Sequence, residues 1–163
     1  MDVYINDYQG VIDSFEQLTN EKVILLIRLH PNISEYSSNI KTSENIINVT
    51  AYPDMQELML IADYAISDYS SASIEFSMTN KPSFLYVNDI ELYEKERGFY
   101  FELEELPYIK CYSEEQLKQE IIGFDRESYE RRLNLFFERV QLMESGNASK
   151  SVADVVLRKI QEN

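Results

Sequence analysis

The sequence predicts an α/β fold: a doubly wound parallel sheet of about five strands. Short apolar runs of strand length recur along the chain, and amphipathic segments with helical spacing fall between them. Alternation of this kind implies parallel strands joined by helical crossovers, which are right-handed in such sheets.

The elements follow in order. Residues 6–19 place Val11, Ile12, Phe15 and Leu18 at helical intervals. Residues 23–29 form a β-branched run that reads as a buried strand, and residues 44–50, with Ile46, Ile47 and Val49, form a shorter one. Asp54 caps a helix over residues 55–62, with Leu58, Ile61 and Ala62 inward. A third strand at 64–67 runs into a helix at 71–79, and Pro82 opens a fourth strand to Val87. Residues 89–105 are acidic and aromatic and read as an irregular connection. A fifth strand is expected at 109–112. Ser113 and Gln116 then open a helix to Ile122 as a capping box. Asp125 caps a longer helix with Tyr129, Leu133, Phe136, Phe137, Val140 and Leu142 on its apolar side. After the break at 146–149, a last helix spans 150–161, presenting Val152, Val155, Val156 and Ile160. Residues 1–5 are too short and polar for a central strand, so either the fold opens with a helix or the chain is cut from something larger.

Composition narrows the function. The 163 residues are one domain's length, 44% of them hydrophobic, as a globular domain requires. With 15 basic and 29 acidic residues the net charge is −14, which argues against nucleic acid and anionic lipid as partners. The lone cysteine, Cys111, excludes an internal disulfide and a cysteine-based zinc site, and reads as a small buried hydrophobe. The N-terminus has no basic region or apolar signal core, which points to a cytoplasmic protein.

Two strand ends carry the chemistry. The run at 23–29 delivers Arg28 and the chain's one histidine, His30, and the strand at 64–67 ends at Asp68, followed by Ser70 and Ser71 before a helix. Ligands of open α/β sheets bind beyond the carboxyl ends of the strands, and helix N-termini favour anions. These groups together suggest a phosphate-bearing ligand. For each the plainer alternative stays open: His30 ending a strand, Ser70 and Ser71 as an N-cap pair, Asp68 bracing its turn, Arg97 as a loop break before Gly98, Ser149 capping the last helix, and Lys81 as a solvated charge.

Five motifs in sequence resemble the C-terminal half of the CDP-glycerol glycerophosphotransferases of the teichoic-acid polymerase type. They are residues 28–31 (Arg-Leu-His-Pro), 62–71 (Ala-Asp-Tyr-Ala-Ile-Ser-Asp-Tyr-Ser-Ser), 80–82 (Asn-Lys-Pro), 97–101 with 104–107, and 146–149 (Gly-Asn-Ala-Ser). The resemblance implies a Rossmann-like domain of a GT-B enzyme lacking its first strand, with residues 1–163 as one nucleotide-donor-binding domain. It also implies a catalytic His30 near the donor diphosphate. Arg28 from the same motif, with Asp68, Ser70, Ser71, Arg97 and Ser149, lies on the donor side. Neither a metal nor a cofactor is expected.

The reaction implied is transfer of glycerol phosphate from CDP-glycerol to a hydroxyl of a growing teichoic-acid or capsule polymer. Its partners are the nucleotide-diphosphate donor, the polymer acceptor and an N-terminal half, with dimerisation through an exposed sheet edge a further expectation. The full-length enzyme is expected to sit at the cytoplasmic membrane face. Two alternatives stand beside this one: a GT-B glycosyltransferase domain using a sugar nucleotide, and a non-enzymatic interaction domain. Whether His30 donates a proton or only a hydrogen bond is open at this level.

Overall fold

The computed structural model describes residues 5–96, 101–143 and 145–162. The helices are α1 (Tyr8–Thr19), α2 (Met55–Ile61), α3 (Ala72–Ser77), α4 (Ile90–Glu96), α5 (Glu114–Ile122), α6 (Arg126–Arg139) and α7 (Ala148–Gln161). The strands are β1 (Leu25–Ile27), β2 (Ile46–Asn48), β3 (Ala65–Ser67), β4 (Ser83–Tyr86) and β5 (Ile109–Cys111), all five at the expected places. Helix starts follow the capping chemistry. Asp7, Asp54, Ser113 and Asp125 each accept the backbone N–H three residues on.

Two stretches depart from expectation. The acidic, aromatic connection holds α4 and a 3-10 turn at Leu103–Glu105, whose Glu102 and Glu105 form a capping box. A 3-10 helix also spans Pro31–Asn39, headed by His30.

Every strand pair is parallel, but the strands form two groups, β1–β2 and β3–β4–β5. Leu25 faces Ile46 in the first; Ala65 faces Ser83 and Phe84 faces Ile109 in the second. β1 and β3 therefore each keep one edge that no described strand pairs with. Both edges border a cavity of about 910 Å³, walled by Phe15 of α1, Met55 and Leu58 of α2, and Phe76 of α3.

The core centres on β4, which is buried at every position. Alternation sends Phe84 and Tyr86 against Val11, Phe15, Cys111, Leu117 and Ile121, and Leu85 and Val87 against Leu103 and Tyr108. Phe84 sits 5.9 Å from both Phe15 and Phe124, and Phe124 lies 5.9 Å from Tyr129, giving a run of ring contacts worth about 0.5–1.5 kcal/mol each beyond area burial. Tyr129 is fully buried and joins α6 to β4: its hydroxyl accepts the Ser83 N–H at 3.2 Å and donates to the Lys81 carbonyl at 3.3 Å. Burial pushes this hydroxyl up to about 12. By contrast α7 is exposed throughout, including Val152, Val155, Val156 and Ile160. Among the described residues no helix is long and apolar enough to cross a membrane.

Two outcomes follow from this packing. Tyr129→Phe leaves the buried Ser83 amide without its acceptor and should lower stability by about 1–3 kcal/mol in urea unfolding. Asp7 accepts the Gly10 amide and pairs with Lys118 at 3.0 Å, and these contacts hold its carboxyl below the usual 3.8. A lowered folded value means the contribution is fully present above the unfolded value and is lost as pH falls through the folded one. Asp7→Ala should therefore cost about 1 kcal/mol at neutral pH, and the gap to wild type should close below the carboxylate range in acid unfolding curves.

Candidate functional site

The first candidate strand end is β1. Arg28 is half-buried, and its Nη1 donates to the carbonyls of Val49 (3.3 Å) and Tyr52. The Leu29 amide donates to Thr50 Oγ1 at 3.1 Å, so three bonds tie the end of β1 to the segment after β2. Arg28 is thus a brace between neighbouring strand ends; the alternation of β1 alone gave no sign of those carbonyl partners. Beyond the brace, His30 is exposed and heads the 3-10 helix with Pro31 at its first position. Its Nδ1 accepts the Asn32 amide at 3.1 Å. A neutral ring held this way carries its proton on Nε2, so Nε2 is a hydrogen-bond donor towards any ligand.

The second strand end is the turn between β3 and α3. Asp68 Oδ1 accepts the Ser70 amide at 3.0 Å, which is the bracing role left open for it. Ser70 Oγ accepts the Ala72 amide at 3.2 Å, and the Ser70 and Ser71 carbonyls accept the amides of Ser73 and Ile74. The capping hydrogen bond belongs to Ser70. Ser71 occupies the N-cap position without a side-chain cap bond, and its residue is exposed. The expected free amides of this helix start are therefore largely taken within the turn. What the turn offers a ligand is the Ser71 hydroxyl and the Ser70 O–H proton, whose oxygen is already fixed in place.

The remaining candidates separate from these two. Ser149 lies in the first turn of α7, exposed, behind an N-cap at Asn147, and makes no hydrogen bond to either strand end. Arg97 lies outside the described residues. Lys81 is not a solvated charge: its Nζ donates to the carbonyls of Leu60 (2.6 Å) and Ala62 (2.7 Å), closing the C-terminus of α2. Cys111 is buried as expected, and burial pushes its thiol up to about 12. Sequence reasoning missed Tyr69, whose hydroxyl donates to Asp89 Oδ1 at 2.8 Å and whose ring stacks on Tyr93. Its position inside the Asp68–Ser70 turn was the available signal.

Parallel strands with polar groups gathered at their carboxyl ends make this a Rossmann-like domain of the GT-B type. The chain belongs to the CDP-glycerol:poly(glycerophosphate) glycerophosphotransferase family, whose model matches residues 4–158. It is 30% identical to a teichoic acid poly(glycerol phosphate) polymerase of Staphylococcus epidermidis over 98% of this chain and 23% of that protein. To a teichoic acid glycerol-phosphate primase of Bacillus subtilis it is 32% identical over 83% of this chain and 35% of the relative. The solved wall teichoic acid polymerase TagF superposes with a TM-score of 0.74 at 28% identity, covering 98% of this chain and 40% of that one. A TagF variant soaked with CDPG matches with a TM-score of 0.68 at 28% identity over 95% of this chain and 40% of its own. The chain thus spans well under half the length of these relatives.

With Arg28 as a brace, Arg28→Ala should lower unfolding stability in urea by about 1 kcal/mol, since the half-buried Val49 carbonyl and the exposed Tyr52 carbonyl lose their donor. Modification of Cys111 by a thiol reagent should be slow in the folded chain and speed up only on unfolding, read by mass spectrometry.

Proposed function

We propose that this chain is the donor-binding part of a glycerophosphotransferase, holding the diphosphate of CDP-glycerol for transfer of glycerol phosphate to a growing teichoic-acid or capsule polymer. The observation that carries the reading is the family match, which runs unbroken across both strand ends. In the reaction an acceptor hydroxyl oxygen bonds to the glycerol-bearing phosphorus, the bond from that phosphorus to the CMP oxygen breaks, and the hydroxyl proton leaves. Such transfers depend on positioning and charge stabilisation more than on covalent chemistry from the protein.

His30 and the serine turn suit that role. The Nε2–H of His30 and the Ser70 and Ser71 hydroxyls are donors to phosphate oxygens, so His30 is read here as a catalytic residue acting through a hydrogen bond at the diphosphate. Asp68 orients the turn. Arg97 and Ser149 complete the donor side in this reading. The acceptor polymer and an N-terminal half are the further partners, with the whole enzyme at the cytoplasmic membrane face. The edges of β1 and β3 that no described strand pairs with favour one addition: two copies of the chain associating through that side of the sheet.

An amide NMR titration of the chain with CDP-glycerol, CDP and a UDP-sugar tests the proposal. Shifts at Ser70, Ser71 and His30 with the cytidine ligands, about tenfold weaker in His30→Ala, are expected. A preference for the UDP-sugar would transfer the reading to a sugar-nucleotide enzyme, and indifference to every nucleotide would sink it. Sedimentation of the same sample reports the dimer, which fails if the chain runs as a monomer at all concentrations.

A further inference from the structure

Tyr69 stands between Asp68 and Ser70, the two residues whose hydrogen bond shapes the serine turn. Its backbone belongs to the turn, yet its side chain leaves the turn altogether. The ring packs beside Leu85, Val87, Leu103 and Tyr108, the apolar cluster on one face of β4. At its far end the hydroxyl donates to Asp89 Oδ1 at 2.8 Å, and the ring stacks on Tyr93 with centroids 3.8 Å apart and planes inclined by 19°.

Both contacts lie on one short structure beyond β4. Asp89 immediately precedes α4, and its carbonyl accepts the Tyr93 amide at 3.1 Å, so Asp89 and Tyr93 stand one helical turn apart. Tyr69 therefore grips the start of α4 at two points, one polar and one aromatic. The hydroxyl contact is a charge-assisted bond and the ring contact is a near-parallel stack, each directional. Together they fix where the backbone between Asp68 and Ser70 can sit. The ladder of β3 to β4 ends at Ser67 and the burial of α3 begins at Ser73, and between them Asp68, Ser70 and Ser71 are all exposed. The turn's own bonds, Ser70 N–H to Asp68 and Ala72 N–H to Ser70 Oγ, set its shape, and the Tyr69 side chain adds the side-chain tie from its middle to the start of α4.

We propose that Tyr69 is a positioning residue for donor binding, anchoring the Asp68–Ser71 turn to the start of α4 through Asp89 and Tyr93 so that the serine hydroxyls are preorganised for phosphate. The inference rests on the donor-binding reading above and assigns Tyr69 no contact with the ligand. Preorganised donors bind more tightly because the ordering is complete before the ligand arrives.

The test uses the whole chain with Tyr69→Phe, which keeps the stack and removes only the hydroxyl, together with Asp89→Ala, Asp89→Asn and the double variant. The probe is CDP, read by calorimetric titration, with amide hydrogen exchange at Ser70 measured without ligand. Tyr69→Phe should weaken CDP binding about threefold to tenfold and speed exchange of the Ser70 amide by a similar factor. Amides of β4 and α6 should keep their wild-type rates. Asp89→Ala should match it, Asp89→Asn should recover part of the loss because an acceptor oxygen remains, and the double variant should be no worse than either single change.

Wild-type CDP affinity with an unchanged Ser70 exchange rate in Tyr69→Phe overturns the proposal. So does a weakening accompanied by equally faster exchange across β4 and α6, which would make Tyr69 a general stabiliser. If wild type itself ignores CDP, the donor reading fails, and the local Ser70 exchange rate alone decides whether Tyr69 positions the turn.

Discussion

Strand β4 has to find apolar cover on both faces, because Phe84 and Tyr86 project to one side and Leu85 and Val87 to the other, all of them buried. That demand places α1 and α5 against one face and the Leu103–Tyr108 segment against the other. It also explains the Tyr129 staple. The N-terminal end of β4 enters the interior at Ser83, and the only way to bury that backbone without cost is to pair it, which the Tyr129 hydroxyl does. With β3 and β5 laddered to its sides, β4 fixes the height of the turn that follows β3 and of the residues that lead into α4. The Tyr69–Asp89 bond spans those two strand ends, so the candidate site inherits its frame from this one buried strand.

The open edges of β1 and β3 show the opposite condition. Both strands are only half-buried along their length, whereas β4 is covered throughout. The difference is not compositional, since Leu25, Leu26, Ile27 and Ile66 are as apolar as the residues of β4. It arises because each has a sheet neighbour on one side and a cavity on the other. Exposed Ile24 and Ile61 line that same space. An unpaired parallel edge leaves its backbone donors and acceptors to water.

How much of this was legible in the sequence depends on the range of the physics involved. Caps are local, and Asp54, Ser113 and Asp125 announced three helix starts within a residue. Strand runs are local too, and all five appeared where β-branched and aromatic residues clustered. The connection at residues 89–105 failed that logic. Its apolar positions, Ile90 and Tyr93, gain helical form from a stacking partner, Tyr69, about twenty residues away. Lys81 was misjudged, and the bracing bonds of Arg28 went unseen, for the same reason: their carbonyl partners come from neighbouring loops and a helix end that only the folded chain assembles. The polar residues at the two strand ends were visible as types, but which serine caps and which hydroxyl stays available was a matter of turn geometry.

Charge gives the site its last constraint. In a chain with net charge −14, a phosphate ligand meets an unfavourable field before it meets any donor. The cation at the carboxyl end of β1, Arg28, is spent on backbone carbonyls, and Lys81, at the amino end of β4, is spent on the carbonyls that close α2. Asp68 adds a carboxylate at the turn itself, although its Oδ1 is occupied by the Ser70 amide. Among the described residues, the donors these two strand ends offer are the Nε2–H of a neutral His30 ring and the hydroxyls of Ser70 and Ser71. Their attraction is short-ranged and directional, so it survives salt, while the repulsion from the acidic surface is long-ranged and screened by it. For an anionic ligand held through those donors, as proposed above, added salt screens the repulsion from the surface more than it weakens the attraction.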